Sequence, residues 1–141
     1  MRLHIVAFGR IGRSPEGELV DRYLKRIAWP TTLTELSDAG SGKVPDMPHP
    51  AVTIVLDERG SALTSRALAD RLAGWRDNGM REARFLIGAA DGHAEATRAA
   101  ATLVLGFGPA TWPHLLVRAM LAEQLYRATS LLAGHPYHRD G

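Results

Sequence analysis

Cysteine is absent from the 141 residues, which excludes disulfides and thiolate-held metals and fits a reducing compartment, taken here as the cytoplasm. Long apolar runs are absent too. No stretch approaches the 18 or so residues that cross a bilayer, so no membrane association is expected. The opening "MRLHIVAFG" lacks the basic-then-apolar pattern of a secretory leader and reads as a first strand. Lysine is scarce: Lys25 and Lys43 apart, the positive charge is arginine, the side chain better suited to bidentate phosphate contacts. Net charge is only +2, so no overall field demands nucleic acid. Three catalytic signatures are missing as well. There is no G-x-x-x-x-G-K-[ST] phosphate loop, no G-x-S-x-G nucleophile elbow and no H-E-x-x-H zinc helix.

What is present is alternation. An apolar content of 45% with 23% charged residues suits a globular chain, expected to form one domain over residues 1–141. "LHIVAFG" is an apolar run closed by glycine, a buried strand. Ser14 and Pro15 then open a helix carrying Leu19, Val20, Tyr23, Leu24 and Ile27 at helical spacing, stopped by Pro30. "TTLTEL" is a modest strand, residues 37–50 form a Gly/Pro-rich loop, and "AVTIVLDERG" is a stronger strand. Thr64 caps a second helix with Leu68, Leu72 and Trp75 on one face. "ARFLIG", an alanine-rich helix, "TLVLGFG" and a long helix from about Pro113 to Ala133 complete the pattern. Strands that are continuously apolar and alternate with helices imply a mostly parallel α/β sheet with helices on both faces. Ligands in such sheets sit beyond the carboxyl ends of strands. Three glycine turns stand there: "DERG", "GAADG" and "GFGPATW".

"GRIGR" after the first strand lacks the third glycine and the later acidic residue of a dinucleotide fingerprint, and reads as a simple turn. "LGFGPATWPH" holds two glycines and two prolines in ten residues, which constrains its path and leaves backbone groups and an aromatic wall for a flat heterocycle. The last helix carries Arg118, Glu123 and Arg127, of which Glu123 and Arg127 are spaced as an i, i+4 ion pair. The tail sets His135, Pro136, Tyr137, His138 and Arg139 side by side. These groups accept protons near neutrality and grip phosphate. A metal shared by the two histidines is not expected, because Pro136 opposes a helix there and only Asp140 is near to complete the ligand set.

Taken together, "LIGAADG" and "TWPHLLVRAMLAEQLYRATSLLAGHPYHR" closely resemble the RlmH family, bacterial methyltransferases of large-subunit ribosomal RNA. The likeness is strongest over residues 85–139 and extends to "MRLHIVAFGR", "EGELVDRYLKRI" and "IVLDERG". The resemblance implies a minimal SPOUT protein, an α/β fold with a C-terminal trefoil knot, working as a homodimer. It implies methyl transfer from S-adenosylmethionine to N3 of a pseudouridine in 23S rRNA within the ribosome. By position it implies cofactor contacts at Leu56, Gly88, Phe107, Gly108, Pro109, Ala110, Thr111 and Trp112.

On the substrate side the resemblance implies Tyr137, His138 and Arg139, reaching the target nucleotide from the same or the partner subunit. His138 is the first candidate for the proton and Glu123 the second, with Arg139 and Arg118 holding phosphate or an oxyanion. Leu115, Leu116, Met120, Leu131 and Leu132 give the last helix more apolar surface than one small sheet covers, in keeping with a dimer. Relatives carry an extra helix between the second and third strands that this chain lacks. The alternative expectation is a knotted dimer that binds RNA or the ribosome without catalysis.

Overall fold

The computed structural model describes residues 1–37, 44–88 and 93–138, the side chain of His138 excepted. Five strands, β1 (Arg2–Phe8), β2 (Thr31–Leu36), β3 (Ala51–Ala62), β4 (Glu82–Ile87) and β5 (Leu103–Gly106), form one sheet in the order β2-β1-β4-β3-β5. Every neighbouring pair is parallel. Four helices connect or follow them: α1 (Pro15–Arg26), α2 (Ser65–Asp77), the short α3 (Glu95–Ala99) and α4 (His114–Leu132), which leads to a single 3₁₀ turn at Pro136–His138. The two helix starts read from the sequence are capped as expected. Ser14 Oγ accepts the Gly17 N–H at 3.0 Å and Thr64 Oγ1 accepts the Ala67 N–H at 3.0 Å.

The two faces of the sheet are covered unequally. Leu3, Ile5, Ile54, Phe85 and Ile87 point to the main core, where Leu68 and Leu72 of α2 and Leu121 and Leu125 of α4 meet them. Helix α4 packs against both α1 and α2. Residues of the opposite parity, Val6, Val55 and Leu86, face the other side and meet Leu36, Val44 and Ala101. That second face also buries charge. Arg84 pairs with Glu82 at 2.9 Å, contacts His4 Nδ1 at 3.3 Å, and donates to the carbonyls of Pro45 and Asp46. His4 Nε2 meets Thr34 Oγ1 at 2.8 Å. Burial holds the His4 imidazole below its ordinary value, against the pull of the Glu82 charge. A buried guanidinium needs several acceptors, and Arg84 finds two of them in the 44–48 segment, which is thereby strapped over the sheet.

One irregularity shapes the functional end. Leu105 of β5 pairs with Leu56 of β3 and again with Ser61, so residues 57–60 loop out around it. The backbones come so close that a Cβ on Gly60 would lie 2.6 Å from Leu105 C, and one on Gly106 would lie 2.7 Å from Asp57 O. Neither obstacle is a movable side chain. Gly60→Ala is therefore expected to destabilise the chain by about 1–3 kcal/mol through overpacking, read as a lower denaturant midpoint. An unchanged midpoint would contradict the close approach.

Candidate active site

The looped-out segment, the end of β4 and the connection from β5 to α4 enclose a cavity of about 550 Å³. Leu56, Ile87, Leu105, Phe107 and Trp112 make an apolar and aromatic wall, and Asp57, Glu58, Arg59 and Arg98 add charges of both signs. The connection is clipped in place at two points. Thr111 Oγ1 donates to Glu58 Oε2 at 2.6 Å, and Trp112 Nε1–H donates to the Phe107 carbonyl at 3.2 Å. Between them Gly108 holds a φ of +97°, a conformation that side-chain-bearing residues rarely adopt. Trp112 is 41% exposed, the one large apolar side chain so exposed among the described residues. An indole held at a cavity mouth by its own N–H is arranged to meet a flat ligand.

The charged side is a network. Arg98 reaches Asp57 Oδ2 at 3.5 Å and donates to the His93 carbonyl at 2.6 Å, while Arg59 Nε donates to Asp57 Oδ1 at 3.2 Å. Burial pushes the Asp57 carboxyl up. Hydrogen bonds from Arg59 and the charges of Arg59 and Arg98 outweigh it together and leave the group below its ordinary value. His93 Nε2 meets the Leu86 carbonyl at 3.1 Å, and burial keeps this imidazole below its ordinary value. Among the described residues no three of His, Asp and Glu converge as metal ligands.

Of the expected cofactor residues, Leu56, Gly88, Phe107, Thr111 and Trp112 line this cavity. Gly108 lines a smaller one on the other side of the same loop, bordered by Thr64 and Gln124. Pro109 and Ala110 are exposed on the loop between.

The expected substrate residues divide into two places. Tyr137 and Glu123 come together: the phenol O–H donates to Glu123 Oε2 at 2.7 Å, Arg127 donates to the same oxygen from Nη2 at 2.7 Å and Nε at 3.1 Å, and Gln124 donates to Oε1 at 3.0 Å. The Tyr137 ring lies 4.5 Å from that of Tyr126 and 4.8 Å from the Arg127 guanidinium. Burial and then the Glu123 hydrogen bond push the phenol well above its ordinary value. The helix-face pair expected from sequence is thus half-buried and holds the tail. Arg118 is elsewhere and fully buried, its Nη2 donating to the Gly9 carbonyl at 3.1 Å and its Nη1 to Glu35. Arg139 and the His138 side chain lie outside the described residues.

Sequence reasoning missed Glu35 and Arg98. Arg118 could have been found, since it continues the buried stripe of Leu121, Ala122 and Leu125 on α4. Nothing in "TTLTEL" marks Glu35 as its partner.

A family model described as "Predicted SPOUT methyltransferase" matches residues 1–138. The chain belongs to that family. It is 64% identical to proteins named ribosomal RNA large subunit methyltransferase H from Rhizorhabdus wittichii and from Erythrobacter litoralis, and 56% identical to one from Zymomonas mobilis, each over 100% of both chains. The RlmH resemblance is therefore a family relationship. A solved structure of a probable methylase family protein from Haemophilus influenzae is similar in fold, with a TM-score of 0.56 at 11% identity. The likeness covers 94% of this chain, which spans 66% of that one.

Two outcomes follow from this geometry. Tyr137→Phe removes a hydrogen bond to a charged acceptor, about 1.5 kcal/mol, so amide hydrogen exchange at residues 134–138 should quicken on the order of ten-fold; unchanged exchange would mean the tail is held otherwise. Asp57 titrates below its unfolded value, so its contribution is complete above the ordinary carboxylate range and disappears as pH falls through the folded value. Asp57→Asn should flatten the acid limb of the stability curve below about pH 4, measured by denaturant unfolding at several pH values. An acid limb as steep as the parent's would rule that out.

Proposed function

We propose that the chain transfers the methyl group of S-adenosylmethionine to N3 of a pseudouridine in the 23S rRNA of the large ribosomal subunit. The observation that carries this reading is the cavity at the strand ends, lined by five of the residues at which the family resemblance implies cofactor contacts. Full-length relatives named for large-subunit ribosomal RNA methylation support the substrate. The residues present fit such a cofactor. A flat heterocycle suits the wall of Phe107, Trp112 and Leu105, and a zwitterionic, sulfonium-bearing end suits the mixed charges of Asp57, Glu58, Arg59 and Arg98. When bound, the cofactor supplies an electrophilic methyl group on sulfur.

The chain's own work is positioning and proton handling. Leu56, Gly88 and the run Phe107, Gly108, Pro109, Ala110, Thr111 and Trp112 grip the cofactor, mostly through backbone groups. The imide N–H must lose its proton as the nitrogen attacks, and alignment supplies much of the rate. His138 is the acceptor in this reading, and Arg139 holds phosphate. Glu123, already receiving hydrogen bonds from Tyr137, Arg127 and Gln124, serves better as the anchor of the tail than as a base. Arg118, without solvent exposure, acts through Glu35 and Gly9 rather than on substrate.

The same proposal includes the trefoil knot at the C-terminal part, a homodimer and a cytoplasmic setting. Leu115, Leu116, Met120, Leu131 and Leu132 are only half-buried on α4, which supports a second copy against that helix.

Calorimetric titration with S-adenosylmethionine and S-adenosylhomocysteine tests the reading, alongside Trp112→Ala and followed by methyl transfer to ribosomes. Saturable binding that weakens at least several-fold in the variant is expected, with transfer by the parent chain. Binding without transfer would favour a non-catalytic RNA-binding dimer. No binding up to millimolar ligand would remove the enzyme reading.

A further inference from the structure

The loop that leaves β1, Gly9 to Ser14, is held along its length by groups beneath it. Gly9 N–H donates to the Leu36 carbonyl at 2.7 Å, and the Gly9 carbonyl accepts from Arg118 Nη2 at 3.1 Å. Ile11 N–H donates to Glu35 Oε2 at 2.9 Å, and the Ile11 carbonyl accepts from Ser14 Oγ at 3.0 Å. Arg118 Nη1 secures Glu35 in turn. Burial pushes the Glu35 carboxyl up, but the Ile11 N–H and Arg118 outweigh it and keep the group ionised below its ordinary value. The pair is buried at its Arg118 end and open to solvent at its Glu35 end. Here it fixes the path of a surface loop.

That loop stands beside the cavity. Ala7 near the end of β1 pairs with Ile87 of β4, and Ile87 lines the cavity. On α4, Val117 lines the cavity while Arg118, next in sequence, holds the loop. Residues 9–14 therefore leave the sheet at the same edge as the cavity.

What the loop presents is a pair of arginines. Arg10 and Arg13 are exposed, and among the described residues neither makes a hydrogen bond or an ion pair. The acidic groups nearby are accounted for. Glu35 is taken up by Arg118 and Ile11 and also feels the charge of Arg10 without a direct contact, and Glu16 and Glu18 belong to the first turn of α1, where the helix terminus favours negative charge. Two exposed guanidiniums on an already ordered backbone spare the cost of ordering the loop on binding, while each side chain still gives up rotamer freedom. Their planar forks match phosphate oxygens, and phosphate contacts set register on a nucleic acid without reading its sequence.

We propose that Arg10 and Arg13 form a phosphate-binding surface that grips the RNA backbone flanking the target nucleotide, with the Arg118–Glu35 pair as its positioning support. This rests on the ribosomal RNA reading above and adds to it a second contact region, separate from the cofactor loop and the tail.

The test compares the parent chain, an Arg10→Gln/Arg13→Gln double variant, the corresponding Arg→Lys double variant and an Arg22→Gln control on the exposed side of α1. Binding to large ribosomal subunits and to 23S rRNA is measured across a salt series, with cofactor calorimetry and methyl-transfer kinetics on the same preparations. The glutamine variant should raise KM for the ribosomal substrate on the order of ten-fold and flatten the slope of log affinity against log salt by about 1 to 2. Cofactor affinity and kcat at saturating substrate should stay at parental values, lysine should restore part of the binding, and the control should match the parent. Parental affinity and salt slope in the glutamine variant would overturn the proposal. So would a loss reproduced by the Arg22→Gln control, or one confined to kcat. A parent chain that binds RNA but transfers no methyl group would instead overturn the methyltransferase reading, and the affinity comparison would still decide the role of the two arginines.

Discussion

In a sheet whose every pair is parallel, each strand must be reached from the far end of the one before it, and all carboxyl ends gather at one edge. That constraint organises this molecule. It brings Leu56, Ile87 and Leu105 from three neighbouring strands, β3, β4 and β5, to a common rim, and it brings the ends of β1 and β2 up beside them. The helices then follow as coverage for strands too apolar to face water. The looped-out residues 57–60 exist because β3 continues past its pairing with β5 and pairs a second time beyond the loop. The cavity wall is therefore a by-product of strand pairing. The charged groups on it, Asp57, Glu58 and Arg59, are the residues that the second pairing leaves out of the sheet.

Buried charge ties the remaining parts to this edge. Arg118 crosses from α4 to the ends of β1 and β2, and Arg84 crosses from β4 to the 44–48 segment. In each case one guanidinium binds a carboxylate and at least one backbone carbonyl, so that segments far apart in sequence are joined by a single side chain. Apolar contact alone tolerates sliding; a fork with fixed donor directions does not. Arg118 Nε is buried without a partner among the described residues.

Much of the architecture was legible in the sequence because its cause is local. Continuous apolar runs announce buried parallel strands, and Ser14, Pro15 and Thr64 announce helix starts. All of these depend on residues within a few positions of one another. Strand order is not of that kind: β4 lies between β1 and β3 through contacts separated by dozens of residues, which no window of periodicity contains. The candidate site divides in the same way. The loop bearing Phe107 to Trp112 stood out by its own glycines and prolines, and the cavity forms there. Glu35 and Arg98 did not stand out, because each acquires its role from a partner on another element. The family resemblance places Arg118 on the substrate side, and the structure buries it. Its burial follows from its place in the apolar stripe of α4, a signal present in the sequence.

The tail shows how geometry redistributes roles that chemistry alone leaves interchangeable. A carboxylate and an imidazole can each accept a proton, so sequence offers both Glu123 and His138. Glu123 is surrounded by donors: a phenol, a guanidinium and an amide take its lone pairs. The phenol responds in kind, pushed up by burial and by the carboxylate it serves. A carboxylate whose oxygens already receive three donors is placed to anchor the tail. Under the proposed function, the proton falls to His138, next in sequence to the anchor that Tyr137 makes with Glu123.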